Sequence, residues 1–204
     1  IEAAGNMQLN VDQLNNRKEV FREEQVQLEG AMTVRCYDCS GDHHNVDYIG
    51  REVFESRVLE DSPAALLHSG GQLSIQATDI ANRFSTLSAS GDLLIQADNL
   101  QNLGAVGART ERTRTWNTGR TTDGTDSRFR RDYINPYNLA ALPKQLPLEA
   151  LARYREVSDV SIVTPLDANA PAVIQAGGNL IIEARQQLEN SRVVGNDLPA
   201  WHDD

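Results

Sequence analysis

The sequence contains few aromatic residues, few cysteines and no long apolar run. Aromatic residues make up only 5% of the 204 positions, so a core must be built from Leu, Ile, Val and Ala. The two cysteines are too few for a zinc site of four thiolates. No stretch reaches the roughly 18 consecutive apolar residues of a membrane-spanning helix. We therefore expect no transmembrane segment.

Basic residues are outnumbered by acidic residues. The formal net charge is −10 and the isoelectric point is about 4.8. A chain this acidic is repelled by phosphate backbones, so nucleic acid is not expected as a partner. The same acidity would keep an elongated protein soluble. Since the chain begins at Ile1 rather than at Met, we expect it to be a segment of a longer protein.

One short pattern occurs twice in tandem in the middle of the chain. Residues 71–77 (GQLSIQA) and 91–97 (GDLLIQA) share their Gly, apolar and Ala positions and start 20 residues apart. Alternating apolar residues place three side chains on one face of a strand. A unit this short cannot bury that face alone and gains a core by stacking on its neighbours. The pattern therefore predicts the coils of a parallel β-helix.

Two further copies begin at Gly5 and Gly178, and each of the four is followed by an apolar-x-Asn triplet. The Asn residues include Asn16, Asn82 and Asn102, so Asn82 and Asn102 are predicted to form an amide ladder. The fourth copy carries one extra residue before its triplet, which predicts a bulge or turn. The Gly before each strand is expected to supply positive φ.

Two stretches do not match the repeat, and we interpret them as insertions into one β-helical segment over residues 1–204. The insertion at 17–69 contains strands, hairpins and both cysteines. The insertion at 104–172 contains an Arg-rich hairpin with a turn at 116–119, a turn at Asn135–Pro136 and a short helix over 147–156. The predicted fold class is all-β, with protruding hairpins and loops and one short helix.

The repeat pattern resembles that of the filamentous haemagglutinin-like exoproteins. These are the large partners of two-partner secretion systems and include contact-dependent growth inhibition effectors. Residues 59–65, 82–91 and 171–180 are similar to stretches that lie between the repeats of that family.

The resemblance implies a right-handed parallel β-helix that is secreted and displayed as a filament on the surface of a Gram-negative bacterium. It also implies an outer-membrane secretion partner. The expected function is structural display in cell–cell contact, either in adhesion or in delivery of a toxin to a neighbouring cell.

Cys36 and Cys39 form the sharpest chemical motif in the sequence. In an exported protein we expect a local disulfide. A redox pair and a zinc site completed by His43 and His44 remain as alternatives.

A basic segment interrupts the acidic chain, and its residues are candidates for binding a receptor or glycan on a neighbouring cell. Arginine beside aromatic rings suits anionic partners. The alternative is a solvated hairpin whose arginines pair with acidic neighbours. The candidate residues are Arg112, Arg114, Trp116, Arg128, Arg130, Arg131 and Tyr133.

Some parallel β-helices are polysaccharide lyases or hydrolases, so catalysis is a further alternative. Such enzymes need acids gathered on adjacent coils. Asp79 against Asn99, and Asp92 against Gln72, fall at equivalent repeat positions, and each pair offers only one acid. We expect no enzyme activity and no cofactor.

Overall fold

The computed structural model describes residues 1–195 and consists mainly of β-strands, which confirms the all-β prediction. Residues 196–204, the end of the predicted segment, lie outside the described residues. The strands are β1 (Glu2–Ala3), β2 (Met7–Asn10), β3 (Gln13–Arg17), β4 (Phe21–Asp38), β5 (His43–Asp61), β6 (Leu66–Ser69), β7 (Leu73–Gln76), β8 (Asp79–Arg83), β9 (Thr86–Ala89), β10 (Leu93–Thr122), β11 (Arg155–Ala170), β12 (Val173–Ala176) and β13 (Leu180–Val194).

The second insertion contains helical segments at the place where a turn was predicted. Helix α1 (Asp123–Phe129) continues through a π-helical turn (Arg130–Ile134) into α2 (Asn135–Asn138). The predicted turn at Asn135–Pro136 is therefore wrong, because Pro136 lies in the first turn of α2, where its missing N–H has no intrahelical partner to lose. The predicted helix over 147–156 is shorter than expected, since α3 spans Leu148–Leu151 and β11 begins at Arg155.

The chain divides into two compact units. Unit 1 comprises Ile1–Glu24, Ser56–Gly107 and the chain from Pro165 onward, and unit 2 comprises Gln25–Glu55 and Ala108–Thr164. All residues of unit 2 fall within the two predicted insertions.

Unit 1 contains the four copies of the repeat, which pair with one another as parallel strands. β2 pairs with β7, β7 with β10, and β10 with β13. The pairing is in register, so Leu9, Ile75, Ile95 and Ile182 lie at one level of four consecutive strands. The repeat spacing read from the sequence therefore sets the strand register.

Two more sets of parallel strands accompany this stack. β3 pairs with β8, and the second parts of β10 and β13 continue that row. β1, β6, β9 and β12 form a separate four-stranded sheet. The apolar side chains of these strands share one core around Leu73, Ile75, Leu93 and Ile95, all at most 1% exposed.

The fourth copy accommodates its extra residue as predicted, by a β-bulge. Ala97 faces Ala184 and Asn99 faces Gln187, so the register shifts by one residue between them. The row is restored by Leu100 opposite Leu188.

The repeat glycines serve a different purpose from the one expected. The positive-φ glycines of the described chain are Gly41, Gly119 and Gly195. At Gly71 a Cβ atom would lie 2.2 Å from Oδ1 of Asn6, and at Gly178 it would lie 2.3 Å from Oδ1 of Asp92. The prediction of positive φ is wrong, and at Gly71 and Gly178 the adjacent turn leaves little room for a side chain, whereas at Gly5 a Cβ would have no atom of the described chain within 4 Å.

Unit 2 is built on antiparallel pairing. β10 pairs with β5 over the register from Arg109–Glu55 to Thr122–His43, and β4 and β11 lie beside β5 and β10 respectively. The predicted turn at 116–119 is wrong, because β10 continues to Thr122. A register shift between Asn117 and Arg120 places a bulge there, with Gly119 at φ +61°.

Candidate functional site

The sheet of unit 2 has one face that is covered by the helical segments and one that is open. Strand residues alternate between faces. Met32, Val46, Tyr48 and Trp116 are buried in a core with Phe129, Ile134 and Leu151 of the helical segments. The alternate positions carry polar side chains, which line a cleft of about 590 Å³: Arg35, Tyr37, Asn45, Asp47, Thr115 and Asn117.

Asp47 is the centre of this open face. Its Oδ2 accepts hydrogen bonds from Nη2 of Arg35 at 2.8 Å and from the hydroxyl of Tyr37 at 2.6 Å. Its Oδ1 accepts one from Nδ2 of Asn117 at 2.7 Å. Burial acts to raise the pKa of Asp47, but the hydrogen bonds from Tyr37, Arg35 and Asn117 lower it overall. The carboxylate is therefore ionised and occupied by three donors.

β11 completes the cleft with Arg155, Val157 and Ser158, all exposed. Arg155 makes no ion pair with any residue of the described chain 1–195. Its guanidinium therefore leaves one uncompensated positive charge at an open surface.

The cysteine pair lies at the tip between β4 and β5. The sulfurs of Cys36 and Cys39 are joined in a disulfide, with a Cα–Cα distance of 6.1 Å. Tyr37 lies within the loop that this bond closes. Since Tyr37 also binds Asp47, the disulfide and the hydrogen bond together fix one wall of the cleft.

The neighbouring histidine His44 turns toward a buried carboxylate. Its Nδ1 lies 2.9 Å from Oδ2 of Asp126, which is 1% exposed. Asp126 also accepts hydrogen bonds from the Tyr48 hydroxyl at 2.8 Å and from Arg130 at 2.7 and 2.9 Å. Burial acts to raise the pKa of Asp126, but the bonds from Arg130, His44 and Tyr48 lower it overall. This network attaches α1 to β5.

The residues on β10 that were predicted to bind a receptor form contacts with other residues of unit 2. Arg112 donates to Asp159 at 2.8 Å, and Arg114 donates to the buried Glu52 at 3.1 Å. The Arg114 guanidinium lies 5.4 Å from the ring centroid of Trp116, which is 3% exposed. Trp116 therefore contributes to the core rather than to an accessible surface.

The remaining candidates lie on the helical segment. Arg130 is bound to Asp126, and Arg131 donates to Asp132 at 2.7 Å. Arg128 is exposed on α1, and Tyr133 is 36% exposed with its ring 4.9 Å from that of Phe129. The structure does not gather the seven candidates into one site, and their receptor-binding role stays a prediction.

In unit 1 the acids at equivalent repeat positions contact amide groups: Asp79 contacts that of Asn99, as expected, and Asp92 contacts that of Asn179 in the following copy. Nδ2 of Asn99 donates to Oδ1 of Asp79 at 2.7 Å, and Oδ1 of Asp92 accepts from the backbone N–H of Asn179 at 2.8 Å. Within residues 1–195 no group of three or more His, Cys, Asp or Glu side chains is placed to hold a metal ion. None of the helices in that range is long and apolar enough to cross a membrane.

Sequence reasoning missed the polar face around Asp47. The signal was present in the alternation of Arg35 and Tyr37 before the cysteine turn and of Asn45 and Asp47 after it. Two polar runs at alternate positions on either side of one turn place their side chains on a common face.

The model of the haemagglutinin repeat family matches residues 44–125 and 160–192. These ranges include the whole of the second, third and fourth copies of the repeat. Comparison with curated proteins and with solved structures found no match.

Proposed function

The chain belongs to the haemagglutinin repeat family, and on that basis we propose that it is a structural display segment of a filamentous adhesin-like exoprotein. Its site of action would be the surface of a Gram-negative bacterium, reached through an outer-membrane secretion partner. Adhesion is the role that family membership supports best, and toxin delivery stays a prediction.

The observation that carries this proposal is the in-register stacking of the four repeat copies in unit 1. Each copy contributes three strands in the same order, and each strand pairs with its counterpart in the next copy. When repeats stack in this way, each added copy of the short unit extends the core, so the core can reach any length. We infer that these copies are coils of a right-handed parallel β-helix, suited to holding other surfaces away from the cell.

A non-catalytic role is part of the proposal. The stacked positions offer Asp79 with Asn99 and Asp92 with Asn179, so one carboxylate stands in each pair. Glycoside hydrolysis needs two carboxyl groups on either side of the scissile bond. Turnover of an acidic polysaccharide by the purified chain would contradict this part of the proposal.

Display can be tested in the producing bacterium with a substitution in the stacked core. Replacing Asn82, fully buried between Asn16 and Asn102, should reduce antibody labelling of the protein on intact cells and reduce attachment to other cells. The matched control is Gln76→Ala, an exposed position of the same repeat. Normal labelling and attachment with Asn82→Ala would refute the role of the stack in display.

A further inference from the structure

We propose that the open face of the unit 2 sheet binds a carboxylated saccharide, that is, a glycan bearing uronic or sialic acid. This inference goes beyond the display role, because a segment that only holds other surfaces away from the cell needs no ligand site of its own. It rests on the geometry of the cleft around Asp47.

The cleft has the size of a ligand site. Its volume of about 590 Å³ falls within the range of roughly 300–1,000 Å³ that small-molecule pockets occupy. It is open to solvent, so a sugar residue has access to it. All of its residues come from the four adjacent strands β4, β5, β10 and β11.

The charges in the cleft select for an anion with a single carboxylate. The carboxylate of Asp47 accepts hydrogen bonds from Arg35, Tyr37 and Asn117. Arg155, by contrast, has no acidic partner in the described chain. A planar guanidinium pairs with a carboxylate through two parallel hydrogen bonds. The cleft itself contains one arginine without an ion pair, in a chain of net charge −10, and this suits one carboxylate better than a polyanion.

The uncharged groups in the cleft suit a sugar ring. Tyr37 is 57% exposed, and Arg35 lies 5.2 Å from the centroid of its ring. An aromatic ring packs against the C–H face of a pyranose, and carboxamide and hydroxyl groups match its vicinal hydroxyls as donors and acceptors. Asn45 and Ser158 provide those groups in the same cleft as Tyr37.

The wall of the cleft that contains Arg35 and Tyr37 is held in place before any ligand binds. Asp47 holds Arg35 and Tyr37 through its hydrogen bonds, and the Cys36–Cys39 disulfide closes the loop that contains Tyr37. Side chains that are already fixed lose little conformational entropy on binding. A site built in this way can bind a sugar that carries uncharged hydroxyl groups and one carboxylate, although the site makes few charged contacts.

Titration calorimetry on the purified chain tests the proposal with two acidic probes that each carry one carboxylate, galacturonate and 3′-sialyllactose. Their neutral counterparts are galactose and lactose. We expect binding of at least one acidic probe and none of its neutral counterpart. Arg155→Gln should weaken that binding by about tenfold or more, since a charge-assisted hydrogen bond is lost.

Two further variants locate the site. Ser158→Glu places a carboxylate in the cleft and should also weaken binding of the acidic probe, and because Ser158 is exposed the substitution leaves the core unchanged. Arg57→Gln changes an exposed arginine outside the cleft and should leave the affinity within about twofold of the original. Near-ultraviolet circular dichroism checks that each variant is folded.

The proposal is overturned if neither acidic probe binds at millimolar concentration, or if the neutral counterparts bind equally well. It is also overturned if Arg155→Gln and Ser158→Glu retain full affinity. Loss of binding in Arg57→Gln would overturn it as well, because that arginine lies outside the cleft. None of these results bears on surface labelling of the Asn82 variant, so the display role is tested separately.

Discussion

Asn82 donates its side-chain amide to Oδ1 of Asn102 at 2.7 Å, between two adjacent copies of the repeat. Asn16 donates to Asn82 at 2.7 Å, and Asn102 donates to Asn190 at 2.8 Å, so one ladder joins all four copies. Asn82 is fully buried, and its amide also reaches the backbone carbonyl of Ser85 at 3.0 Å. The ladder therefore satisfies polar groups that the core would otherwise leave without partners.

Asn82→Ala should destabilise the protein by about 2–4 kcal/mol. The substitution leaves the amide of Asn16 and the side-chain carbonyl of Asn102 without their partner inside the core, and each unsatisfied buried group costs about 1–3 kcal/mol. Urea unfolding monitored by circular dichroism gives the free energy. Gln76→Ala, on the exposed side of the same repeat, should change it by less than about 0.5 kcal/mol. Equal stability of the two variants would show that the ladder does not contribute.

The ladder was predictable because the repeat is exact enough to align Asn16, Asn82, Asn102 and Asn190 by counting residues. Parallel pairing in register then puts equivalent residues at the same level. The strand pairing and the bulge in the fourth copy follow from the same count. For unit 1, the sequence alone therefore predicts which residues lie opposite one another on paired strands.

Unit 2 was less predictable because neither insertion contains the repeat. The helical stretch from Asp123 to Asn138 begins with Thr122, whose hydroxyl accepts from the N–H of Thr125. That capping residue lies within a Thr-rich strand, and Asn135–Pro136 is equally typical of a turn. The cleft around Asp47 depends on pairing between β5 and β10, whose partners are about 70 residues apart. Local pattern does not encode such a contact.

Gly177→Ala should destabilise unit 1. A Cβ at this position would lie 2.2 Å from the backbone oxygen of Ser90, and a backbone atom cannot move aside as a flexible side chain does. Forced overpacking of this kind costs about 1–3 kcal/mol. Gly5→Ala is the control, since a Cβ there would have no atom of the described chain within 4 Å. The two melting temperatures should differ, and a tolerated Gly177→Ala would mean that the turn relaxes freely.

Unit 2 should lose stability in acid because of Asp126. A carboxyl whose pKa is lowered in the folded state stabilises the fold above its unfolded pKa, and this stabilisation is lost as the pH falls through the folded value. The pKa of Asp126 is below its ordinary value of 3.8, so the loss should occur below about pH 4. Near-ultraviolet circular dichroism of Trp116 and the tyrosines reports it.

Asp126→Asn should destabilise the protein at pH 7 by on the order of 3 kcal/mol, because Arg130 and the buried Tyr48 lose a charged partner. The variant should also show a weaker decline in acid than the original protein. Asp132→Asn, which removes an exposed partner of Arg131, should change little. An unchanged acid profile in Asp126→Asn would mean that other carboxyls govern the transition.

Thiol titration of the purified chain should find no free cysteine until a reductant is added. Reduction opens a loop of only a few residues, for which chain entropy predicts a loss of about 2 kcal/mol. Since Tyr37 lies in that loop, reduction or a double Cys→Ser substitution should also weaken saccharide binding in the cleft. Two free thiols together with bound zinc would contradict the disulfide and favour the metal site with His43 and His44.

The exposed positions Arg128 and Tyr133 give the fairest test of receptor binding by the Arg-rich segment. Arg130 is unsuitable because Arg130→Ala removes a partner of the buried Asp126 and would reduce stability whether or not a receptor is bound. The double change Arg128→Ala and Tyr133→Phe leaves that network and the ring contact with Phe129 intact. If the segment binds a receptor, attachment of the purified chain to target cells should fall while the melting temperature stays the same. Unchanged attachment, combined with a loss in Arg155→Gln, would place recognition on the open sheet face.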